Sequence, residues 1–287
     1  MMDGQIRNEI RRRLTPMLGE GEARAVTMLL FEQIGGLSTV DVLTGRDAEL
    51  PTETKEKIVA AARRVEKGEP VQYIIGKTVF MGMELDVNPA VLIPRPETED
   101  LVRLIISENG GLSDTKILDI GTGSGCIALA VKKQLPDTKV TAWDVSEKAL
   151  EVALSNADKN SLNVDFQQHD ILQPQQTEER FDIIVSNPPY VCTGEAAEME
   201  RQVLEYEPHT ALFVPDDNPL LFYWAITKFA VQHLNTGGKI YFETNRAYAA
   251  DVAELLNANG FCNVQMVNDQ FGNQRIVRGE KFIRNNS

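Results

Sequence analysis

Residues 116–130 of the chain read KILDIGTGSGCIALA and change character twice within this short stretch. The first five residues are apolar except for Lys116 and Asp119, which is typical of a buried strand. Glycines follow at positions 121, 123 and 125, and the residues after them have the composition of a helix. Glycine permits backbone torsions that a Cβ forbids and allows close approach to the main chain. The stretch therefore predicts a strand, a glycine turn and a helix, as at the first turn of an open α/β sheet.

The chain on both sides of this stretch continues the alternation of strand-like and helix-like segments. The predicted strands are 116–120, 138–143, 164–168, 181–186, 238–243, 263–268 and 274–278. The predicted helices are 124–135, 146–160, 219–234 and 247–259. This alternation predicts a doubly wound, mainly parallel seven-stranded sheet of the α/β class, within a domain that spans residues 93–287.

The N-terminal part of the chain has a different pattern. Residues 1–70 place apolar side chains at helical spacing and predict a small helical domain. Residues 71–92 are rich in β-type residues with glycine turns, and predict a β-hairpin connector. Thr98 follows two prolines and is predicted to be the N-cap of the next helix.

Composition and charge exclude several classes of function. The 287 residues include 29 Lys and Arg against 42 Asp and Glu, for a net charge of −13. Residues 1–80 are balanced, with 12 basic and 12 acidic side chains, so the rest of the chain carries the whole excess. Because a surface that follows a phosphate backbone is basic, duplex nucleic acid is a poor candidate partner.

Location and metal content follow from similar observations. No run approaches the roughly 18 apolar residues of a membrane span, and the N-terminus lacks the apolar core of a signal peptide. We therefore expect a cytoplasmic protein with no membrane association. Three separated cysteines and three scattered histidines favour neither a disulfide framework nor a metal site.

The glycine turn predicts a nucleoside-binding site. Its G-x-G-x-G spacing differs from the dinucleotide and P-loop patterns, and Thr122 and Ser124 occupy the intervening positions. Asp144 ends the next predicted strand, where an acid can accept hydrogen bonds from both ribose hydroxyls. A ribose acid without a pyrophosphate pattern fits S-adenosylmethionine better than NAD. Asp119 is placed to meet an ammonium group or to brace the turn; the alternative interpretation is a tight turn with two incidental acids.

A third acid follows the third predicted strand of the sheet. Asp170 could accept a hydrogen bond from an adenine amino group, with Ile171 against the face of the ring. The alternative is an acid that stabilises the turn at the end of that strand.

The tetrapeptide Asn187-Pro188-Pro189-Tyr190 directly follows the apolar strand 181–186. Ligands bind at this end of the strands in open α/β sheets. The Asn187 side-chain oxygen and the Pro188 carbonyl can together accept two N–H bonds from a planar amide or aryl amine, and such acceptors gain strength as positive charge develops on that nitrogen. The prolines stiffen the backbone, and Tyr190 can supply a flat face for the substrate. Asn-Pro-Pro alone could equally be a turn.

These motifs together resemble the release-factor glutamine methyltransferases, the HemK/PrmC family. The matching stretches are residues 72–74, 92–99, 119–125, 185–190, 207–208 and 211–212. The resemblance implies a class I S-adenosylmethionine-dependent methyltransferase fold, Rossmann-like, with the helical domain recognising the substrate. It implies methylation of the side-chain amide (N5) of the glutamine in the Gly-Gly-Gln motif of class I translation release factors. Apart from the resemblance, we expect a monomer.

Carried over by position, the methyl-donor site falls on residues 121–125, Asp144, Ile171 and Asn187, and the glutamine site on residues 187–190. Where the family has Glu-x-Gly-x-x-Gln, this chain has Glu243 followed by Thr, Asn, Arg, Ala and Tyr, and we assign that segment no catalytic role.

Two charged features of the sequence have open roles. Arg95 lies between two prolines, and we expect it to brace the active-site loop, to contact substrate or a carboxylate near the donor, or to be an exposed linker residue. The acids between Glu195 and Glu207 are expected to form a solvated flap, with substrate docking as the alternative.

Other functions remain open on the sequence alone. A glutamine methyltransferase acting on a ribosomal protein would share every motif. An adenine-N6 methyltransferase on DNA or RNA would also use Asn-Pro-Pro-Tyr, although it must capture an unstacked base and a phosphate backbone. A non-enzymatic adaptor would require the intact motifs to be accidental.

Overall fold

The computed structural model describes residues 4–174 and 177–282 of the chain. It divides into two compact units. One contains the described residues up to Lys77 together with Glu200–Tyr206, and the other contains Thr78–Met199 and the chain from Glu207 onwards. Within the described ranges, no helix combines the length and apolar character needed to cross a membrane.

The first unit is helical, as predicted. Its N-terminal helices are α1 (Gly4–Gln33), α2 (Thr39–Leu43), α3 (Thr52–Glu66) and α4 (Val71–Ile75). The chain of α1 breaks its helical path at Gly19, where φ is 78° and ψ is 167°. The two parts of α1 pack with α3 around a core that includes Ile10, Leu14, Leu30 and Ile58.

The hairpin is shorter than the sequence predicts. Strands β1 (Lys77–Phe80) and β2 (Met83–Asp86) form it, whereas residues 71–75 form the helix α4. The prediction of β structure for residues 71–75 is therefore wrong. Val71 and Ile74 both pack against the helical core, and a helix places residues three apart on one face. Gly76 ends the helix in the left-handed conformation, with φ 83°.

The remaining elements match predicted ones with ends displaced by a few residues, except for three short segments that were not predicted: Val191–Cys192, Arg201–Tyr206 and Phe213–Val214. In chain order they are α5 (Pro96–Asn109), β3 (Lys116–Ile120), α6 (Cys126–Gln134), β4 (Lys139–Asp144), α7 (Glu147–Asn160), β5 (Asp165–Gln168), β6 (Phe181–Ser186), β7 (Val191–Cys192), α8 (Arg201–Tyr206), β8 (Phe213–Val214), α9 (Leu221–His233), β9 (Leu234–Glu243), α10 (Ala249–Ala258), β10 (Phe261–Asn268) and β11 (Gln274–Lys281).

The second unit is built on a seven-stranded sheet with the order β10-β11-β9-β6-β3-β4-β5. Strands β9, β6, β3, β4 and β5 are parallel, and β11 runs antiparallel between β9 and β10. The doubly wound α/β prediction is thus confirmed. The chain proceeds from β3 to β4 and β5 on one side and then returns to β6 on the other. In such sheets, ligands bind at the carboxyl ends of the strands where the order reverses.

Helices cover both faces of the sheet, and each face has its own apolar core. On one face, Leu101 and Ile105 of α5 pack with Leu129 of α6. On the other face, Tyr223 of α9 packs with Val252 of α10 and their neighbours. Burial on both faces holds the parallel strands rigidly, so the loops at their carboxyl ends start from fixed positions.

Candidate active site

A cleft that is partly open to solvent lies at the carboxyl ends of β3, β4 and β6. Most of the residues singled out from the sequence line it together. They are Arg95, Gly121, Thr122, Gly123, Ser124, Asp144, Asp170, Ile171, Asn187, Pro188 and Pro189. The other three, Asp119, Gly125 and Tyr190, are not among the residues that line it.

The three glycines of the turn are required for two different reasons: one permits close packing of helices, and two leave space in the cleft. All three have positive φ, at 76° for Gly121, 55° for Gly123 and 81° for Gly125. A Cβ on Gly125 would lie 3.2 Å from the Ala153 Cβ, so this glycine permits close packing of α6 on α7. By contrast, a Cβ on Gly123 would meet nothing within 4 Å, and one on Gly121 would meet only the Asn187 carbonyl oxygen at 4.0 Å. Side chains at these two positions would occupy the cleft.

Asp119 braces the turn from below. Its carboxylate is fully buried, and Oδ2 accepts hydrogen bonds from the Thr122 hydroxyl at 2.7 Å and the Ala128 N–H at 3.2 Å. Its Oδ1 has no hydrogen-bond partner among the described residues. Burial raises the pKa of the carboxyl to about 7. Of the two roles predicted for Asp119, the geometry shows the bracing one.

Asp144 ties the turn to the next strand. Its Oδ2 accepts a hydrogen bond from the Gly123 N–H at 2.9 Å, and its Oδ1 accepts one from the Ser146 N–H at 2.9 Å. Burial raises the pKa of the Asp144 carboxyl, although these backbone donors oppose the shift. The side chain remains partly exposed in the cleft. Each oxygen therefore keeps capacity for a further donor.

Asp170 and Ile171 continue the wall beyond β5. Asp170 Oδ1 accepts a hydrogen bond from the Leu172 N–H at 2.9 Å, so this acid does stabilise a turn as well as line the cleft. Ile171 packs against the core cluster on the α9 face of the sheet. His169 also lines the cleft, and its ring stacks on Trp143 with centroids 4.2 Å apart.

One end of the Asn187 amide is held by Thr98, which also lines the cleft. Its Nδ2 donates to the Thr98 hydroxyl oxygen at 3.3 Å, which leaves Oδ1 as the free acceptor. The preceding residue is fixed by a bond from the Ser186 hydroxyl to the Ile120 carbonyl at 2.6 Å. Pro188 is buried and Pro189 half-buried beside it.

Tyr190 does not present its ring to the cleft, contrary to the sequence prediction. The ring packs against the core, and its hydroxyl donates to Glu243 Oε1 at 3.3 Å. Burial, together with the Glu243 carboxyl, raises the pKa of Tyr190. The strand-to-turn geometry after β6 directs residues 187–189 to the cleft and turns position 190 back towards the sheet.

Thr98 and Glu243 are the residues that sequence reasoning missed. Thr98 is not an N-cap: α5 begins at Pro96, with Arg95 as the capping residue, because proline is favoured at the first helical position. The Thr98 hydroxyl instead donates to Glu243 Oε2 at 2.7 Å. Glu243 ends β9 at the same edge of the sheet, and that position was the available signal. The family's Gly and Gln do not follow it in this chain, so the family motif does not identify Glu243.

Arg95 is neither an exposed linker residue nor free. Its guanidinium pairs with the carboxylate of Glu207, which also accepts the Ile93 N–H at 3.2 Å. Glu207 is only 4% exposed, so the prediction of a solvated acidic flap is wrong at this position. A buried carboxylate requires a charged partner, and Arg95 supplies it.

Several further lining residues carried no motif. Phe222 and Ile226 line the cleft from α9, four positions apart and hence on one helix face. Val145 lines it directly after Asp144. Their apolar spacing is indistinguishable in sequence from that of ordinary core residues.

Comparison with known proteins shows which protein domains this chain resembles. Residues 5–76 match the model of the PrmC N-terminal domain, and residues 77–205 match that of the methyltransferase small domain. A methyltransferase structure from Pyrococcus furiosus is similar in fold, with a TM-score of 0.52, at 22% identity over 81% of this chain and 100% of that one. The class I methyltransferase fold predicted from the sequence is confirmed.

Two curated relatives extend the similarity over nearly the whole chain. The release factor glutamine methyltransferase of Bacteroides thetaiotaomicron is 42% identical over 95% of this chain and 98% of its own length. That of Flavobacterium psychrophilum is 41% identical over 97% and 99%. Similarity of this degree and extent shows that the protein belongs to the release factor glutamine methyltransferase family.

Proposed function

We propose that this protein transfers a methyl group from S-adenosylmethionine to the side-chain amide nitrogen (N5) of the glutamine in the Gly-Gly-Gln motif of class I translation release factors. One observation carries the proposal. Asn187, Pro188 and Pro189 line the same cleft as the glycine turn and Asp144. An amide acceptor site therefore adjoins a nucleoside site at the carboxyl ends of neighbouring strands.

The cleft fits the methyl donor. Gly121 and Gly123 leave open the space that a Cβ would fill, so the backbone there can lie against a ligand. We assign Asp144 to the ribose hydroxyls, because its two oxygens retain acceptor capacity beside the Gly123 N–H. Asp170 and the apolar side chains of Ile171 and Phe222 are assigned to the adenine ring. When bound, S-adenosylmethionine supplies an electrophilic methyl group on a sulfonium.

Asn187 and Pro188 provide the chemistry on the substrate side. Asn187 Oδ1 and the Pro188 carbonyl accept the two N–H bonds of the glutamine amide, which orients the nitrogen lone pair towards the methyl group. These dipoles are fixed before the reaction and stabilise the positive charge that develops on nitrogen. The methylated nitrogen is strongly acidic and releases its extra proton to water. No general base is required, and catalysis consists of positioning and exclusion of water.

We further propose that the N-terminal helical unit recognises the protein substrate. The support is its match to the PrmC N-terminal domain and its balanced charge. Arg11 and Arg12 are exposed on α1, whereas Arg13 pairs with Glu66 at 2.6 Å. If this unit binds release factor, replacing Arg11 and Arg12 by Glu raises KM for the release factor without changing donor affinity. An unchanged KM after these replacements and after similar ones across the exposed faces of α1 and α3 contradicts the assignment.

A methylation assay with separated substrates tests the proposed activity. The protein is incubated with labelled S-adenosylmethionine and, in parallel, with release factor, ribosomal protein or duplex DNA. Mass spectrometry then locates the label. We expect it on the Gly-Gly-Gln glutamine. Label on adenine or on a ribosomal protein would instead support one of the two alternative methyltransferases.

A further inference from the structure

The carboxylate of Glu243 is buried next to the catalytic amide without touching the cleft. Only 1% of the residue is exposed. Oε2 accepts the Thr98 hydroxyl at 2.7 Å, and Oε1 accepts the Tyr190 hydroxyl at 3.3 Å. Its main-chain oxygen accepts the Tyr223 hydroxyl at 3.1 Å. The carboxylate is therefore held in one orientation by donors on two sides.

The direction of these hydrogen bonds determines the direction of the next one. Above its pKa of about 7, the Glu243 carboxyl is ionised and only accepts hydrogen bonds, so the Thr98 hydroxyl then donates its single proton to it. The Thr98 oxygen then faces Asn187 with a lone pair, and the bond of 3.3 Å between them requires Asn187 to donate through Nδ2. With Nδ2 occupied in this way, Oδ1 is the end of the amide that remains for the substrate.

We propose that Glu243 acts through Thr98 as a positioning residue, which fixes the Asn187 side-chain amide with its oxygen directed at the substrate. The inference rests on the proposed function, because it assigns Asn187 Oδ1 as an acceptor for the glutamine N–H. An Asn amide has nearly the same shape in both flipped orientations. Shape alone therefore leaves the flipped amide, with Nδ2 towards the substrate, almost equally accessible. The Glu243–Thr98 pair disfavours the flipped amide, because the Thr98 oxygen can then only accept a hydrogen bond and would face Asn187 Oδ1, which is also an acceptor.

The surroundings of Glu243 make its negative charge costly in free energy, whereas an apolar residue at this position would carry no such cost. Burial opposes its charge, and Glu97 adds to the opposition, while Arg275 favours the charged form. A buried carboxylate in the folded protein requires partners, and the half-buried Tyr190 provides one. An apolar residue would pack at this position without these requirements. A carboxylate at this position is explained by its role as a hydrogen-bond acceptor that cannot donate to Thr98.

The chain of hydrogen bonds from Glu243 through Thr98 to Asn187 is called the relay below. Thr98→Val tests it by removing only the Thr98 hydroxyl. We expect kcat for release-factor methylation to fall by about tenfold or more, because the flipped amide becomes populated and cannot accept from the substrate. The Kd for S-adenosylmethionine should change less than about twofold, since Thr98 makes no bond to the glycine turn or to Asp144. Thr98→Ser restores the hydroxyl and should recover most of kcat.

Thr227→Val is the matched control for this substitution. Thr227 is also fully buried in the second unit, and its hydroxyl has no hydrogen-bond partner in the described part of the chain. The chemical change is identical, so a loss of kcat that comes only from altered packing or stability would appear in both variants. We expect Thr227→Val to keep kcat within about twofold of the wild type.

Glu243→Gln tests polarity at nearly constant shape. The glutamine amide can donate to Thr98, which allows the hydroxyl to turn and donate to Asn187 Oδ1 instead. We expect a loss of kcat no larger than that of Thr98→Val, because the glutamine amide can also turn its oxygen to Thr98 and its NH2 to Tyr190. The double variant should be no slower than Thr98→Val, because both substitutions act through one path. Thermal unfolding of each variant verifies that it is folded.

The outcomes separate the relay from the proposed function. If the wild type methylates release factor and Thr98→Val keeps kcat within about threefold of it, the relay is overturned. Equal losses in Thr98→Ser and Thr98→Val also overturn it. If the wild type methylates no release factor at all, the proposed function fails before the variants are compared.

Discussion

Arg95 and Glu207 form an ion pair between segments 112 residues apart in the chain. The Glu207 side chain is 1% exposed and that of Arg95 is 33% exposed. Arg95 lines the cleft, and its buried partner Glu207 is not among the lining residues. Glu207 also accepts the Ile93 N–H, which fixes the backbone on the other side of Pro94. The rigid Pro-Arg-Pro segment is thereby attached to the chain that follows α8.

We expect Arg95→Ala to lower the free energy of unfolding by about 1–3 kcal/mol, because it leaves the Glu207 charge buried without its partner. Adding Glu207→Gln should restore part of the loss, since the neutral amide is less costly to bury. Urea denaturation of the wild type, both single variants and the double variant provides the cycle. If donor affinity, turnover and stability are all unchanged in Arg95→Ala, the bracing role is wrong.

Asp144 should govern binding of the methyl donor. Asp144→Asn keeps the shape but removes the charge and one acceptor. We therefore expect affinity for S-adenosylmethionine to fall by about tenfold, which corresponds to about 1.4 kcal/mol. Asp114→Asn is the control for net charge, because the Asp114 side chain is 86% exposed and lies outside the cleft lining. Isothermal titration calorimetry measures both. Equal affinities for the two variants would contradict the assignment of Asp144.

Gly125 illustrates a glycine required by packing as well as by torsion. Gly125→Ala combines a φ of 81° with a Cβ placed 3.2 Å from the Ala153 Cβ and 3.3 Å from Leu129 Cδ1. Gly111→Ala has a φ of 84° and no neighbour within 4 Å, so it isolates the torsional cost. We expect Gly125→Ala to be the more destabilising by about 1–3 kcal/mol in chemical denaturation. Equal destabilisation would show that α6 and α7 adjust without cost.

The features that could be predicted from the sequence are those that depend on residues close together in the chain. The glycine turn, the acid that ends the next strand and Asn187-Pro188-Pro189 each have a local pattern, and the parallel topology places them at one edge of the sheet. Local spacing also predicted the strands, because burial on both faces of a parallel sheet requires continuous apolar runs.

The features that were missed depend on contacts between distant parts of the chain. Thr98 meets Glu243 across 145 residues, and Arg95 meets Glu207 across 112. Thr98 in a Pro-Glu-Thr segment has the composition of a capping residue, and only the position of β9 reveals its other role. The helix at residues 71–75 was missed for a similar reason, because its packing against the helical core overrides β propensity.

Asp119 should make stability depend on pH. Its pKa is raised to about 7 by burial, against about 3.9 in an unfolded chain. Between these values the folded protein retains a proton that the unfolded chain has released, so the contribution is fully present below about pH 4 and is lost as the pH rises through about 7.

Asp119→Asn cannot ionise, and comparison with the wild type isolates this residue. The pKa of Glu243 is also raised to about 7 by burial, but Glu243 is present in both proteins. We expect the free energy of unfolding of the variant to rise relative to that of the wild type between pH 5 and pH 8. Urea denaturation at four pH values in this range measures the difference. A difference that does not vary with pH would contradict the pKa.

The most direct test of the proposed function compares wild type and Asn187→Ala in methylation of an isolated class I release factor. The wild type should place one methyl group on the Gly-Gly-Gln glutamine, located by mass spectrometry. Asn187→Ala should lose about 100-fold or more in turnover, because it removes an acceptor used in the transition state, while its affinity for S-adenosylmethionine persists. Methylation by the variant at the wild-type rate, or a methyl group on adenine instead of glutamine, would contradict the account.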